Sequence, residues 1–277
     1  MENLDSRLPE ASRILLKKAL ETIDSLPGFL PPMDWSFGGG TALMLFYQHR
    51  TSKDIDIFIN DVQYITYLSP RLNDSFGNDL KGYEEDANVV KIRYAEGEID
   101  FIAAPRLIPN STSAVNILGR SVVIDHPSEI IAKKCFYRGN YFTVRDMYDF
   151  IVFSHNDQQD ILDNYDIFYA KREGIVERIA QYQKNERLYL HELHNIHPMP
   201  GYEQLRERVL AEAESCFTNP KRYLEECSRF ASLATNNPVN IKDAITQLEH
   251  IIEKCENHRK IEGLDKKQRP RNGRLNP

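Results

Sequence analysis

The sequence predicts an α/β (α+β) protein whose first half contains the sheet and whose second half is helical. Up to about residue 125, short segments with the two-residue alternation of strands are interspersed with segments of helical periodicity. After Pro127, almost every segment to about residue 255 has apolar residues at helical spacing. The last twenty residues are polar and carry seven Lys and Arg side chains against two acidic ones. We therefore predict an α/β core over 1–125, a helical domain over 126–257 and a basic, disordered tail over 258–277.

The elements of the first half follow in chain order from short-range patterns. Apolar residues recur every three or four positions before Pro27-Gly28, which predicts an amphipathic opening helix. A short apolar segment then leads into three glycines and a threonine, after which helical spacing returns. Further on, polar and apolar residues alternate, and Glu96-Gly97 is a hairpin signal between two such segments. The predicted elements are a helix over 8–26, a strand over 34–37, a helix over 42–48, a strand over 54–59, a helix over 62–72, and strands over 89–94, 98–103 and 121–124.

The second half consists of helical segments that prolines separate. Its aromatic residues, at 136–137, 141–142, 165 and 168–169, are interpreted as helical core in preference to a surface on which bases stack. The series His191, His194 and His197 is not expected to bind a metal, because its spacing drifts around a helix that Pro198 ends. The predicted helices span 129–137, 144–154, 158–169, 176–184, 204–213, 220–233 and 241–256.

Composition excludes several classes of protein. Apolar residues make up 41% and charged residues 27% of 277 positions, which is typical of globular chains. No run approaches 18 apolar residues, there is no secretory pattern, and the four cysteines lack CxxC spacing, so we expect a cytoplasmic protein with reduced thiols and no membrane association. The net charge of −6 argues against a generic basic surface that coats nucleic acid. It does not exclude an enzyme that holds a polyanion through metal ions.

One constellation in the first half could carry chemistry. Gly39, Gly40 and Thr41 lie at a predicted strand-to-helix turn, where glycines let a ligand approach the backbone and the helix start offers free N–H groups to phosphate. Asp54 and Asp56, two residues apart on a strand, point to the same face. Two carboxylates so placed repel each other unless a cation lies between them. The combined pattern therefore favours a site for a phosphate-bearing ligand and a divalent ion.

A third carboxylate, Asp100, lies within an apolar strand segment of its own. An aspartate among core residues is costly to bury without a partner. Beside Asp54 and Asp56 it would complete a site for two magnesium ions, the arrangement that aligns an in-line attack on a nucleotide phosphorus. Asp100 could also act as the general base for the attacking hydroxyl, and Glu98, on the same strand face, is the competing candidate.

Two blocks of the sequence resemble the AbiEii/AbiGii-type nucleotidyltransferase toxins. The first block runs Phe-Gly-Gly-Gly-Thr-Ala-Leu at 37–43 and continues as His-Arg-Thr-Ser-Lys-Asp-Ile-Asp-Ile-Phe at 49–58. The second block is Ser-Glu-Ile-Ile-Ala-Lys-Lys at 128–134, followed by Arg138 and by Arg-Asp-Met-Tyr-Asp at 145–149. The chain beyond residue 150 contains no motif that matches the family.

The resemblance implies a polymerase-β-like nucleotidyltransferase core with a mixed sheet and magnesium-dependent use of a nucleoside triphosphate (NTP). Members of the family act as toxins of toxin–antitoxin or phage-defence systems, restrained by a cognate antitoxin, and some add nucleotides to the 3′ end of transfer RNA. The roles that the resemblance implies are triphosphate binding by Gly39, Gly40, Thr41, Arg50, Ser52 and Lys134, metal binding by Asp54 and Asp56, and a place in the fourth motif for Asp146, with Lys133, Asp149 and Arg145 as neighbouring alternatives.

Two other functions stay open at this level. A small molecule could be the acceptor, as in antibiotic adenylyltransferases with a similar glycine turn and Asp-x-Asp pair. The chain could also be a catalytically silent nucleotidyltransferase fold that only binds a partner. The basic tail could contact RNA or merely solubilise the chain end.

Overall fold

The computed structural model describes residues 4–28 and 33–220, together with Tyr223, Thr246 and Glu253. The predicted helix over 241–256 and nearly all of that over 220–233 lie outside the described residues, as do the basic tail, Cys227 and Cys255. Within the described ranges no helix is long and apolar enough to cross a membrane. Cys135 and Cys216 are buried and are not part of a disulfide.

A seven-stranded mixed sheet forms the centre of the first half, in the order β3-β4-β5-β2-β1-β7-β6. The central pair β2 and β5 is parallel, β1 is parallel to β7, and the remaining neighbours are antiparallel. The strands are β1 (Trp35–Gly38), β2 (Ile55–Ile59), β3 (Gly82–Asp86), β4 (Val89–Arg93), β5 (Glu98–Ala103), β6 (Thr112–Ile117) and β7 (Arg120–Asp125). The predicted fold class, with a mixed sheet, is confirmed.

The two-residue alternation of β2 and β5 decides which face of the sheet is core. Ile55, Ile57 and Ile59 of β2 are buried, and Ile99 and Phe101 of β5 are buried beside them. The first helix, α1 (Glu10–Asp24), packs across both strands. Because strand side chains alternate between faces, the aspartates of β2 and β5 lie on the face opposite this core.

Of the α-helices after α1, all but α2 follow the sheet and form the second half. The helices after α1 are α2 (Gly39–Tyr47), which lies between β1 and β2, then α3 (Pro127–Lys133), α4 (Val144–Asn156), α5 (Gln158–Asp163), α6 (Tyr165–Tyr169), α7 (Arg172–Lys184), α8 (Glu186–His194), α9 (Glu203–Glu207) and α10 (Val209–Thr218). A π-helical turn, Lys134–Arg138, prolongs α3, and a 3₁₀ turn, Gly139–Tyr141, follows it.

Several elements differ from the sequence prediction for physical reasons. Strand β3 is mostly exposed and acidic, so it has no apolar alternation by which to recognise it, and β6 has a single buried residue and no regular alternation. The segment predicted as a helix over 62–72 is a 3₁₀ helix, Val62–Leu68. Helix α2 begins at Gly39, three residues before its predicted start. The prediction left the glycines out of the helix because glycine has a low helix propensity.

Candidate active site

The glycine turn between β1 and α2 lies directly against the carboxylate of Asp56. Gly39 has φ +68°, and a Cβ there would come 1.9 Å from Asp56 Oδ2, so neither the backbone nor the space admits a side chain. Thr41 is buried, and its hydroxyl donates to the backbone carbonyl of Asp54 at 2.6 Å and lies 3.0 Å from the Ser52 hydroxyl. The first turn of α2 is thus fastened to the start of β2.

Asp56 and Asp100 are neighbours across the central parallel strands. The register of β2 and β5 pairs these two residues, so both carboxylates lie on the same face. Burial, and then the nearby charge of Asp100, raises the pKa of Asp56 from 3.8 to about 6. Burial also raises the pKa of Asp100, although Lys91 works in the opposite direction.

Asp54 completes this group just before β2. Its Oδ1 accepts a hydrogen bond from the backbone N–H of Glu98 at 3.1 Å, which ties it to the start of β5. We refer to Asp54, Asp56 and Asp100 as the carboxylate cluster. The three residues that the sequence singled out thus lie on two adjacent strands, two of them in direct register.

Lys91 is a residue of this site that the sequence analysis did not select. It lies on β4 directly opposite Asp100, and its Nζ contacts Asp100 Oδ2 at 2.7 Å and Glu98 Oε2 at 2.9 Å. Burial works against the ammonium charge, but the hydrogen bonds to these two carboxylates outweigh it and raise the pKa of Lys91. Glu98, the competing third carboxylate, is occupied by Lys91 and by Arg93 at 3.0 Å. The signal was available, because the hairpin through Glu96-Gly97 places Lys91 opposite Asp100.

The two neighbouring lysines at the end of α3 have separate sets of partners. Lys134 Nζ contacts Asp146 Oδ1 at 2.7 Å and Asp149 Oδ2 at 3.0 Å. Lys133 Nζ contacts Asp125 Oδ2 at 2.7 Å and lies 4.0 Å from the centre of the Phe58 ring. Successive helix residues point about 100° apart, so one lysine faces α4 and the other faces the sheet.

Asp146 is held by cations and by its own helix. Besides Lys134, it contacts Arg138 at 3.1 Å and forms a capping box with Thr143 at the start of α4. Burial would raise its pKa, but the charges of Lys134 and Arg138 dominate and lower it. Asp146 is therefore an ionised residue that fixes the two cations at the edge of the cleft.

A buried ion-pair network connects the first sequence block to the second. Arg50 reaches Asp149 through two hydrogen bonds, Nε to Oδ1 at 2.7 Å and Nη2 to Oδ2 at 2.8 Å, and His49 Nε2 donates to Oδ1 at 2.8 Å. Burial opposes ionisation of Asp149, but Arg50 and Lys134 prevail and hold its pKa well below the ordinary value. Burial lowers the pKa of His49, so the imidazole is neutral. The guanidinium of Arg50 is buried and paired with Asp149, and its Nη2 also lies against Gly40 of the glycine turn, 2.6 Å from where a Cβ of that residue would be.

A cleft of about 290 Å³ opens above the glycine turn. Gly39, Gly40 and Asp56 line it together with three cations, Lys133, Lys134 and Arg138, and the charges of the last two act on the Asp56 carboxylate. The rest of the wall is mostly apolar, formed by Phe58, Val89, Ile102, Ala103, Ala104, Ile130 and Tyr137, with Asn88 at the rim. The structure thus brings together five of the predicted site residues here, while Asp146 and Asp149 lie behind Lys134 and Arg145 is exposed on α4.

The donor set of the cluster fits a hard divalent cation. Carboxylate oxygens are the ligands that magnesium prefers. Asp100 Oδ1 is buried and has no hydrogen-bond partner among the described residues, and two ionisable carboxylates face each other across β2 and β5. No group of three or more His, Cys, Asp or Glu side chains forms a ready-made metal cage anywhere in the described ranges, the histidines at 191, 194 and 197 included.

A mixed sheet with a glycine turn leading into a helix, strand carboxylates beneath the turn and a helix lysine across the cleft defines a nucleotidyltransferase. The chain belongs to the AbiEii family, since the model for nucleotidyl transferase AbiEii toxins of type IV toxin–antitoxin systems matches residues 28–234. Among solved structures, the chain is similar to the antibiotic-resistance factor ANT(2'')-Ia, with 16% identity over 65% of this chain and 97% of that one and a TM-score of 0.42. The search of curated proteins found no match.

Proposed function

We propose that this nucleotidyltransferase is magnesium-dependent and transfers a nucleoside monophosphate from an NTP to RNA, with the 3′ end of a transfer RNA as acceptor. The observation that carries the proposal is the position of Asp56. Its carboxylate touches the glycine turn, pairs in register with Asp100 and faces Lys134 across the cleft. A phosphate bound at the turn would therefore lie between acidic strand residues and a cationic helix.

Asp54, Asp56 and Asp100 are the residues that would hold the metal. When bound, two magnesium ions would neutralise the repulsion within the cluster and the charge that develops on the reacting phosphate. The glycine turn would bind the triphosphate through the free N–H groups at the start of α2, whose dipole favours an anion. Lys134 and Arg138 would balance the remaining phosphate charge from the opposite wall.

The transfer step forms a bond between an acceptor hydroxyl oxygen and the α-phosphorus and breaks the bond to pyrophosphate, which leaves. Asp100 would accept the hydroxyl proton, and its raised pKa brings it nearer to the range in which a carboxylate is an effective base. Lys91 would hold Asp100 in place, while the Arg50–Asp149 network would fix Lys134. Lys133, paired with Asp125 and Glu129, would contribute positive charge at the cleft wall.

The RNA acceptor and the toxin role rest on two supports. The matched family is described as toxins of type IV toxin–antitoxin systems, which implies a cognate antitoxin as a partner. The net charge of −6 is unsuited to binding RNA along its length, but it suits brief contact with one end through metal and a few cations. We place the protein in the cytoplasm, where NTPs and transfer RNA are available.

The test is transfer of label from each α-labelled NTP to total RNA, with and without magnesium. Asp56→Asn and Lys134→Met should each lower labelling about 100-fold or more, while Asp74→Asn, an exposed control, should not. Label from γ-labelled NTP would instead indicate phosphoryl transfer. Full labelling by a folded Asp56→Asn variant, or label only in an added antibiotic-type small molecule, would contradict the proposal.

A further inference from the structure

Three large aromatic side chains next to the cleft are exposed to solvent. Phe136 is 38%, Tyr137 47% and Tyr141 80% exposed, and all three follow Lys134 within eight residues. The interpretation of these residues as helical core is wrong, although it is correct for Phe142, Phe168 and Tyr169, which are buried. An aromatic ring left in water does not gain the favourable free energy of burial. Exposed rings beside the candidate cleft therefore point to a ligand that covers them.

The exposed ring of Tyr137 forms part of the cleft wall, and Phe136 packs against it. Tyr137 lines the cleft itself and also an adjoining depression of about 620 Å³ that includes Asn60, Val62 and Pro105. Phe136 meets Tyr137 edge to face, with ring centres 5.1 Å apart. The π-helical turn Lys134–Arg138 places these rings beside the lysine that faces the glycine turn, and such turns often occur at functional sites.

Cations are interleaved with the aromatic rings. Lys171 Nζ lies 5.2 Å from the centre of the Phe136 ring, and Arg138 follows Tyr137 with about half of its side chain exposed. Arg145, four residues after Tyr141 in the first turn of α4, is exposed as well. Aromatic faces with Lys and Arg between them suit a single nucleic-acid strand, because bases stack on the rings and phosphates meet the cations.

We propose that Phe136, Tyr137 and Tyr141, here termed the aromatic platform, bind the unpaired 3′ end of the RNA acceptor by stacking. Bases on the platform would direct the terminal hydroxyl past Tyr137 into the cleft, toward Asp56 and its neighbour across the strands, Asp100. This inference rests on the proposed function and deepens it, since it selects single-stranded ends over duplex RNA. An RNA strand is favoured over a protein partner because cations accompany the rings: Lys171 lies over the Phe136 ring, and Arg138 follows Tyr137.

The test measures binding of a short labelled RNA strand with a free 3′ hydroxyl by fluorescence anisotropy, in the absence of NTP. Tyr141→Ala and Tyr137→Ala should each weaken binding about tenfold, and Tyr141→Trp should retain it because stacking survives. Tyr83→Ala removes a ring of similar exposure, 42%, from the edge strand β3 and serves as the matched control. The same RNA closed into a blunt duplex should bind more weakly than the single strand.

The outcomes separate this inference from the proposed function. If the alanine variants bind and label RNA as the unmutated chain does, the platform assignment is overturned and nucleotide transfer stands. If the unmutated chain binds the strand through these tyrosines but labels no RNA, the transfer proposal fails and the platform stands. If the variants instead lose self-association in sedimentation while RNA binding is unchanged, the rings join copies of this chain and the inference is overturned. Tyr141 is so exposed that its loss should leave folding intact.

Discussion

Replacing Asp56 by asparagine should remove catalysis and stabilise the metal-free protein at the same time. In the folded chain the pKa of Asp56 is about 6, against 3.8 for an ordinary aspartate, because burial and the neighbouring Asp100 disfavour the charge. At about 1.4 kcal/mol per pH unit, the ionised carboxylate costs up to about 3 kcal/mol of folding free energy at neutral pH. The asparagine side chain would keep the shape without the charge, which for a chain of this size raises Tm by about 2–4 °C per kcal/mol.

The upward shift of the Asp56 pKa determines how the stability difference between the two proteins depends on pH. A carboxyl whose folded-state pKa is raised contributes stability below its unfolded pKa, and that contribution is lost as the pH rises from about 4 through about 6. The advantage of Asp56→Asn should therefore be largest above pH 7, about half as large at pH 5 and nearly absent below pH 4. Saturating magnesium should reduce it, because the proposed ions favour the unmutated cluster.

Urea denaturation in the presence of EDTA, at pH 5 and at pH 7.5, measures both free energies. The variant Asp74→Asn, in an exposed loop, is the control for a loss of one negative charge. The reasoning is refuted if Asp56→Asn is less stable than the unmutated chain at pH 7.5 without metal. It is equally refuted if the difference between them is the same at both pH values.

Three further substitutions test other parts of the site. Gly39→Ala should abolish transfer, whereas Gly119→Ala, at φ +74° with open space around it, should cost only the backbone strain of about 1–3 kcal/mol and leave transfer intact; equal effects would contradict the clash at the turn. Asp149→Ala removes the ion-pair partner of the buried Arg50 and leaves Lys134 paired with Asp146 alone, so it should lower the unfolding free energy by about 3–5 kcal/mol, while Arg71→Gln in an exposed pair should change it by at most about 1 kcal/mol in thermal denaturation. Lys91→Met should tighten magnesium binding to the cluster in calorimetry, and unchanged affinity would show that the lysine does not compete with the metal.

The strand carboxylates illustrate how far local pattern extends. Alternation predicted that Asp54 and Asp56 share one face, because that period is a property of the extended backbone itself; Asp56 lies on β2, and Asp54 directly precedes the strand. The neighbouring position of Asp100 depends on the parallel pairing of β2 with β5, which joins segments some forty residues apart. Strand pairing over such a separation is set by the whole sheet and has no local signal. The sequence could therefore identify Asp100 as a candidate but could not show which strand lies next to it.

The carboxylate partners of the cationic residues could not be predicted from the local sequence. Arg50 stands close to the Asp-x-Asp pair in sequence and is predicted to contact the nucleotide, and in the fold it and His49 both contact Asp149, ninety-nine residues away from Arg50. The sequence did not show which partner each of the consecutive residues Lys133 and Lys134 would have. The packing of α3 between the sheet and α4 pairs Lys133 with Asp125 and Lys134 with Asp146. Side-chain partners of this kind are decided by which elements meet, and a single sequence does not contain that information in any local form.

The sequence by itself determined the fold class, the nucleotidyltransferase motifs and the residue types of the site, because periodicity and glycine conformation are local properties of the chain. The tertiary structure alone decided which charges meet. It committed Arg50 to Asp149, placed Lys91 on Asp100, separated Lys133 from Lys134 and left the rings of Phe136, Tyr137 and Tyr141 in solvent beside the cleft. Burial and ion pairing are sums over neighbours from distant segments, and those neighbours exist only once the chain has folded.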